Sequence, residues 1–482
     1  MKDEELSTIE NILKLSSLIA GEPVLSGKQL AVTSPYDGRL VGTVEMAGLS
    51  DTQAAIDTAL KGGKVLTRYE RYSVLDKART LLLERKEAFA QLITAESGLC
   101  ITEARYEIGR AHDVLLFASM ECLKDDGQVF SCDISPNGKQ RKIFTLREPL
   151  RLAVAITPFN HPLNQVAHKI APALAAGTPV ILKPSEKTPL TAIRFVELLY
   201  EAGLPTYMLS VLLGDTKNVA EALVQAPDVD LVSFTGSVAV GKRIAQTAGY
   251  KKVILELGGN DPLIVLEDAN LDLAVELAAE GSFRNSGQRC TAVKRILVQE
   301  SIAEEFTKRF VEKAKEYTCG DPGDPKTRVG TVIDEQSAKY LEDVVDKAVA
   351  RGAKVLLGGK RKGALLEPTV IVDVPRDAQM VVQESFGPLA PILTFKDIDD
   401  AIALSNSTAF GLSSGVVTNN MEHAIRFVKE LKVGTVNINE VPGYRIENSP
   451  FGGIKDSGLG IKEGVIEAIK CFTYVKTFSM PW

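Results

Sequence analysis

Two doubly wound α/β domains with a small β addition are what this 482-residue sequence predicts. Three observations carry that expectation. Between residues 151 and 267, short apolar runs alternate with helical patterns, and a second alternation follows from residue 271 onward. Between 127 and 149 the chain changes character: Gly127, Pro136, Asn137 and Gly138 punctuate strand-like runs. Strand, helix, strand at such spacing marks βαβ units and a mainly parallel sheet covered on both faces. At about 150 residues per domain the length allows about three domains' worth of chain. Hydrophobic residues at 45% and charged residues at 24% are the balance of a globular protein with a sizeable core.

Taken in order, the first 25 residues carry a helical pattern through Leu6, Ile9, Ile12 and Leu13, then a Gly/Pro break. From 50 to 122 the pattern is helical, with Ser50-Asp51 as a cap and apolar positions at three- and four-residue spacing over 70–97. The runs 128–132 and 141–146 read as an exposed hairpin-like excursion. Apolar runs at 152–157, 179–182, 209–213, 231–234 and 253–257 then alternate with helical patterns near 161–176, 188–203, 216–226 and 237–248. The second alternation places a helix near 271–284, a strand at 295–298, helices near 301–317 and 335–352, and a strand at 354–357. The boundary between the two falls near Glu256-Leu257-Gly258-Gly259.

Several function classes drop out early. Lys plus Arg number 56 and Asp plus Glu 62, a net charge of −6, with no net attraction to nucleic acid or an anionic membrane. An anionic substrate would have to be held by a local basic cluster. No run of about 18 apolar residues is free of charges and breakers, which argues against a membrane span. The start, Met1-Lys-Asp-Glu-Glu-Leu, lacks the basic and apolar regions of a secretory signal. Six cysteines (Cys100, Cys122, Cys132, Cys290, Cys319 and Cys471) show no Cys-x-x-Cys spacing, which fits a reducing cytoplasm. His112, His161, His168 and His423 are the only histidines and form no His-Glu-x-x-His, so no metal centre is expected. Gly411-Leu-Ser413-Ser-Gly415 matches Gly-x-Ser-x-Gly, but Val416-Val417 continues as a strand where a nucleophile elbow needs a helix.

The informative segment is Gly287-Gln288-Arg289-Cys290-Thr291. A free cysteine is most often a packed small hydrophobe, although a cation such as Arg289 favours a thiolate. Other pieces weigh on the reactive side. Phe234-Thr-Gly236-Ser237 closes a strand and opens a helix, whose first N–H groups suit a pyrophosphate. Lys183-Pro-Ser185-Glu186 follows a second strand end, where open α/β sheets place their ligands. Pro158-Phe159-Asn160 sits at a third, with an amide able to donate to an oxyanion, and Glu256-Leu-Gly-Gly puts a carboxylate at a fourth, able to act as a general base.

With these residues assembled, the chain resembles the NAD(P)-dependent aldehyde dehydrogenase superfamily along essentially its whole length. The match rests on Thr157-Pro-Phe-Asn160, Lys183-Pro-Ser-Glu186, Phe234-Thr-Gly-Ser237, Glu256-Leu-Gly-Gly259, Gly287-Gln-Arg-Cys290, Glu384-Ser-Phe-Gly-Pro388 and Pro450-Phe-Gly-Gly453, in the family's order. The resemblance implies an NAD-binding domain from 1–127 and 149–255 and a catalytic domain from 256–450. It also implies an oligomerisation element with a C-terminal strand from 128–148 and 451–482, and a homodimer or homotetramer. Cys290 would attack the aldehyde carbonyl, with the Asn160 amide and the Cys290 backbone N–H holding the oxyanion. Hydride loss to the nicotinamide would leave a thioester, which water activated by Glu256 would hydrolyse. Lys183 and Glu186 would hold the adenine ribose, and Ser185, Thr157 and Phe159 are also among the cofactor contacts. Gly236 and Ser237 would face the pyrophosphate, and Glu384 and Phe386 the nicotinamide end. Glu186 would repel a 2′-phosphate, favouring NAD over NADP.

The substrate turns on departures from the commonest pattern. Arg289 precedes the nucleophile, His161 follows the oxyanion asparagine, Arg110 lies on the helix that by resemblance lines the substrate tunnel, and Arg445 precedes Pro450-Phe451. Read separately, the arginines are unrelated surface charges. Converging, they would form an anion clamp of unpaired cations, since guanidinium forks match phosphate and phosphonate oxygens. Non-phosphorylating glyceraldehyde-3-phosphate dehydrogenase and phosphonoacetaldehyde dehydrogenase share such a tunnel by resemblance. Asn160-His161 and the ending Glu463-Gly-Val-Ile-Glu-Ala…Ser479-Met-Pro-Trp482 look more like the second. The expectation is oxidation of phosphonoacetaldehyde to phosphonoacetate, with glyceraldehyde 3-phosphate, lactaldehyde or succinate semialdehyde as alternatives. A cysteine hydrolase or esterase would use Cys290 and Glu256 without Lys183, Glu186 and Glu384, and nucleotide titration separates the two. A catalytically silent binding protein would leave Cys290 unreactive toward thiol reagents.

Overall fold

The computed structural model describes residues 12–482. Five of the expected strands, Ala153–Ile156, Val180–Lys183, Leu209–Val211, Leu231–Thr235 and Lys252–Glu256, run parallel to one another in a seven-stranded sheet whose edge is completed in antiparallel by Leu18–Ile19 and Glu22–Pro23. Their apolar runs are unbroken because helices cover both faces. Val154, Ile181 and Val232 are fully buried. From Ala153–Ile156 the chain steps outward through the next two strands, then returns to lay Leu231–Thr235 on the opposite side. That reversal opens a crevice at the carboxyl ends of the two central strands, where doubly wound sheets bind ligands.

The second sheet is ordered Lys354–Leu357, Thr369–Val372, Leu389–Phe395, Arg295–Gln299, Pro262–Val265, Ser413–Val417, Thr435–Ile438. Only the first pairing is antiparallel. The first sheet ends at Glu256 and the second starts at Pro262. The carboxyl edge of one sheet therefore faces the amino edge of the other. A third, exposed sheet pairs Thr473–Pro481 with Arg141–Pro149 and that with Val129–Ser131, all antiparallel. No helix among the described residues is long and apolar enough to cross a membrane.

Several expectations are corrected. Leu6 and Ile9 lie outside the described residues, and Leu13 belongs to a strand, Leu13–Ser16, paired in parallel with Leu40–Glu45. Partner strands supplied by the tertiary fold override a weak local helical pattern. The helix expected after Ser50-Asp51 runs Leu49–Lys61 and is capped by Gly48, whose N–H donates to Asp51 Oδ2 at 2.8 Å. Asp51 is thus the third helical residue, where a carboxylate reaches back to the cap. The segment after 450 is only partly a peripheral strand. The helix Val465–Cys471 buries Val465 and Ala468 in the core beneath the first sheet. One expectation holds: the strand runs on through Val416-Val417, with Ser413 as its buried first residue, so no nucleophile elbow forms there.

Candidate active site

Two loops meet between the facing sheet edges. From the first sheet, Ala153–Ile156 runs into Thr157, whose N–H donates to the Lys183 carbonyl at 3.2 Å, then Phe159 and Asn160. From the second, the helix Leu271–Phe283 ends and the chain makes a left-handed turn through Asn285 (φ 52°), Ser286 (φ 51°) and Gly287 (φ 70°) before Cys290. Such conformations cost about 1–3 kcal/mol at each non-glycine residue. Side chains tie the turn down: Asn285 Nδ2 donates to the Asn160 carbonyl (2.9 Å) and Ser286 Oγ to the Gly330 carbonyl (3.1 Å). Gly287 is required twice over, since a Cβ there would also lie 2.0 Å from the Gly387 carbonyl oxygen. That close approach sets the loop carrying Glu384 and Phe386 against the loop carrying Cys290.

These loops border a cavity of about 510 Å³ whose lining includes Asn160, Glu256, Cys290, Gly236, Ser237, Glu384 and Phe386. Phe159 and Phe386 meet edge to face, 5.9 Å between ring centres. Ser237 caps the helix Val238–Thr247, accepting from Val240 N–H, and the start of that helix borders the cavity through Gly236 and Ser237. Both Glu256 carboxylate oxygens and Thr235 Oγ1 are buried without a protein partner. A helix N-terminus, flanking aromatic rings and orphaned polar atoms suit a dinucleotide. Lys183, Ser185 and Glu186 stand outside the lining, at the end of Val180–Lys183. There Lys183 Nζ and Glu186 Oε1 pair at 3.3 Å and Ser185 Oγ accepts from the Lys187 N–H.

The whole-chain comparisons agree with this geometry. The model of the aldehyde dehydrogenase family matches residues 24–478. The chain belongs to the aldehyde dehydrogenase family. It is 38% identical over 469 residues to a 3-sulfolactaldehyde dehydrogenase of Priestia aryabhattai, covering 97% of this chain and 98% of that protein. A sulfoacetaldehyde dehydrogenase of Neptuniibacter caesariensis is 36% identical, covering 93% and 98%. The crystal structure of an NAD-dependent aldehyde dehydrogenase from Sinorhizobium meliloti superposes with a TM-score of 0.93 at 34% identity, covering 98% and 95%.

Around the dehydrogenase's thiol the electrostatics are set by burial and by one lysine. Lys294 is 2% exposed; its Nζ donates to the carbonyls of Arg289 (2.6 Å) and Cys290 (2.8 Å) and lies 3.4 Å from Glu384 Oε1. Burial pushes the Cys290 thiol up to about 11, with Lys294 pulling against it. Burial also raises the Glu256 carboxyl well above its usual range, reinforced by the carboxylate of Glu463. Glu463 itself is held ionised by Lys169, whose Nζ donates to it at 2.8 Å and to Ser233 Oγ at 2.9 Å. One Asn160 Nδ2 hydrogen is committed to the Gln288 carbonyl (2.8 Å), leaving its second N–H free. With the thiol neutral at ordinary pH, iodoacetamide should label the Cys290 peptide about tenfold faster per pH unit between about pH 7 and about pH 9. A rate already flat in that interval, followed by mass spectrometry, would mean a thiolate stabilised well below this.

The arginines gather, but not as expected. The His161 ring is held well below its usual pKa by burial and then by the charges of Arg110, Arg289, Arg284 and Arg445, so all four cations lie within electrostatic reach of it. They are not unpaired. Arg110 Nε donates to Glu447 Oε1 at 2.5 Å. Arg289 Nη2 donates to the carbonyls of Glu280 and Gly281, and Arg445 lies 3.9 Å above the Phe451 ring. The desolvation cost of a bare buried cation is the reason: each charge takes a carboxylate, a helix-end carbonyl or an aromatic face. Arg284, missed in the sequence, is bound by Glu103 and Glu280 and stacks over Tyr106 at 4.5 Å. Lys294, Glu447 and Glu463 were missed as well. A charged residue in an apolar sequence context, such as Lys294 after Ala292-Val293, was the one available signal.

Proposed function

We propose that this enzyme oxidises a small anionic aldehyde, phosphonoacetaldehyde foremost, to its carboxylate with NAD. The observation that carries the reading is the gathering of cations near Asn160 of the cavity: Arg110 is tied to Glu447, two residues after Arg445, and the charges of Arg110, Arg289, Arg284 and Arg445 all reach His161, next in sequence to Asn160. A phosphonate offers three oxygens to guanidinium donors. A sulfonate has the same shape with less charge, and relatives named for sulfolactaldehyde and sulfoacetaldehyde favour it as the second reading.

In this reading the Cys290 thiol gives its proton to solvent as Sγ bonds to the aldehyde carbon, the carbonyl π pair moves to oxygen, and the free Asn160 N–H with the Cys290 backbone N–H holds the resulting thiohemiacetal oxyanion. Bound in the cavity, NAD would accept the hydride. Glu256 then takes a proton from the water that hydrolyses the Cys290 thioester. Gly236 and Ser237 would meet the pyrophosphate, Thr157, Phe159, Glu384 and Phe386 the nicotinamide end, and Lys183, Ser185 and Glu186 the adenine ribose. Glu186 is exposed at its strand end, placed to accept ribose hydroxyls and to repel a 2′-phosphate. Val129, Phe130, Val475, Phe478 and Met480 leave the third sheet apolar and exposed, which supports a homodimer or homotetramer built on it.

An aldehyde panel tests the reading. Phosphonoacetaldehyde, sulfoacetaldehyde and propionaldehyde are assayed with NAD and with NADP by absorbance of the reduced nicotinamide. The expected order of kcat/KM is phosphonoacetaldehyde, sulfoacetaldehyde, propionaldehyde, each higher with NAD, and Glu186→Ser should narrow the cofactor gap. Propionaldehyde in first place would overturn the anionic reading, and equal use of NADP would overturn the role of Glu186.

A further inference from the structure

Arg110 is held by a grip that leaves both of its Nη groups without a protein partner among the described residues. It projects from the helix Ile101–Cys122 and bonds the protein through Nε alone, to Glu447 Oε1 at 2.5 Å. None of its atoms is a buried donor without a partner, so its Nη groups reach accessible space. The other Glu447 oxygen, Oε2, meets His168 Nε2 on the buried helix Asn164–Ala176. Glu447 is 5% exposed and His168 2%. Its backbone carbonyl accepts from the Val465 N–H, which pins the loop from below. Two residues earlier, the same loop carries Arg445. One carboxylate thus joins two helices to the loop in front of Pro450-Phe451, with both its oxygens engaged.

We propose that Glu447, braced by His168, is a positioning residue for anion recognition: it fixes Arg110 by Nε so that the two Nη groups present a fork to the anionic head of the substrate. The inference rests on the anionic-aldehyde reading above. A guanidinium can do both jobs at once because its donors lie on three nitrogens in a rigid plane; an ammonium cannot. The alternative role for Glu447, simple charge balance, makes the opposite forecast. Removing a negative charge beside an anion site would tighten anion binding, whereas removing an anchor loosens it.

The experiment compares kcat/KM for phosphonoacetaldehyde, sulfoacetaldehyde and propionaldehyde in the parent, Glu447→Gln, Glu447→Asp, Arg110→Lys and the Glu447→Gln/Arg110→Lys double variant. Glu447→Gln should lower the anionic-to-neutral ratio about tenfold, the scale of one charge-assisted hydrogen bond, chiefly through KM. Arg110→Lys, which keeps the charge and places less strain on folding, should lower it similarly, because its one ammonium stays on Glu447. Glu447→Asp should restore part of the ratio. In the double variant the two losses should fall short of adding, since both break the same unit. A ratio that rises in Glu447→Gln, an Arg110→Lys enzyme equal to the parent, or strict additivity would each overturn the anchor. A parent with no preference for either anionic aldehyde would instead overturn the substrate reading itself.

Discussion

Cys290→Ala should lose turnover by about 10⁴-fold or more while NAD still binds, because covalent catalysis has no substitute nucleophile at this position. The remaining cavity wall, including Ser237, Glu384 and Phe386, is untouched by the change. Steady-state rate and NAD titration by fluorescence check the two halves separately. Turnover above a trace would sink the assignment of the thiol. Glu256→Gln should fail differently. It should permit one rapid burst of reduced nicotinamide and then stall, since the thioester forms and its hydrolysis lacks a base. If the burst is lost too, Glu256 also serves the thiol. The sign of the pH dependence follows from the raised Glu256 carboxyl. The base form is present above that pKa and lost as pH falls through it, so hydrolysis should decline at a pH above the usual carboxylate value of about 4.5.

Arg289→Ala should cost about 10- to 150-fold in kcat/KM for phosphonoacetaldehyde, the range for hydrogen bonds to a charged group. Propionaldehyde should lose much less. The decisive quantity is the ratio of the two losses. Arg289 holds the carbonyls of Glu280 and Gly281 at the end of the helix Leu271–Phe283, and burial and Arg284 draw it down to about 10 without discharging it at neutral pH. Truncation therefore frees two carbonyls as well as removing a donor, so thermal unfolding is measured alongside. Equal losses on both aldehydes would mean that Arg289 acts on the neighbouring thiol and does not read the substrate. Because each cation within electrostatic reach of His161 already has a partner, neutral aldehydes meet no bare charges. They should be weak substrates and not excluded ones.

What the sequence determined by itself is the alternation and the order of the chemical groups. Apolar runs at 152–157, 179–182, 209–213, 231–234 and 253–257 became adjacent parallel strands because a run buried on both faces has one stable home, the inside of a covered sheet. The groups written at or just after their ends, Asn160, Lys183, Ser237 and Glu256, consequently fell at carboxyl ends of one sheet. Local pattern failed where pairing partners are distant: Leu13–Ser16 takes its conformation from Leu40–Glu45, not from its own periodicity. It also could not show the left-handed turn at Asn285 and Ser286, which is held by side-chain bonds to Asn160 and Gly330. Above all, tertiary structure decided how each charge is paired. Arg110 and Glu447 are 337 residues apart in sequence and 2.5 Å apart in space, and Lys169 and Glu463 are separated by 294. Burying a charge is tolerable only beside a partner, and which partner arrives depends on the packing of whole helices and loops, information that no single stretch of sequence contains.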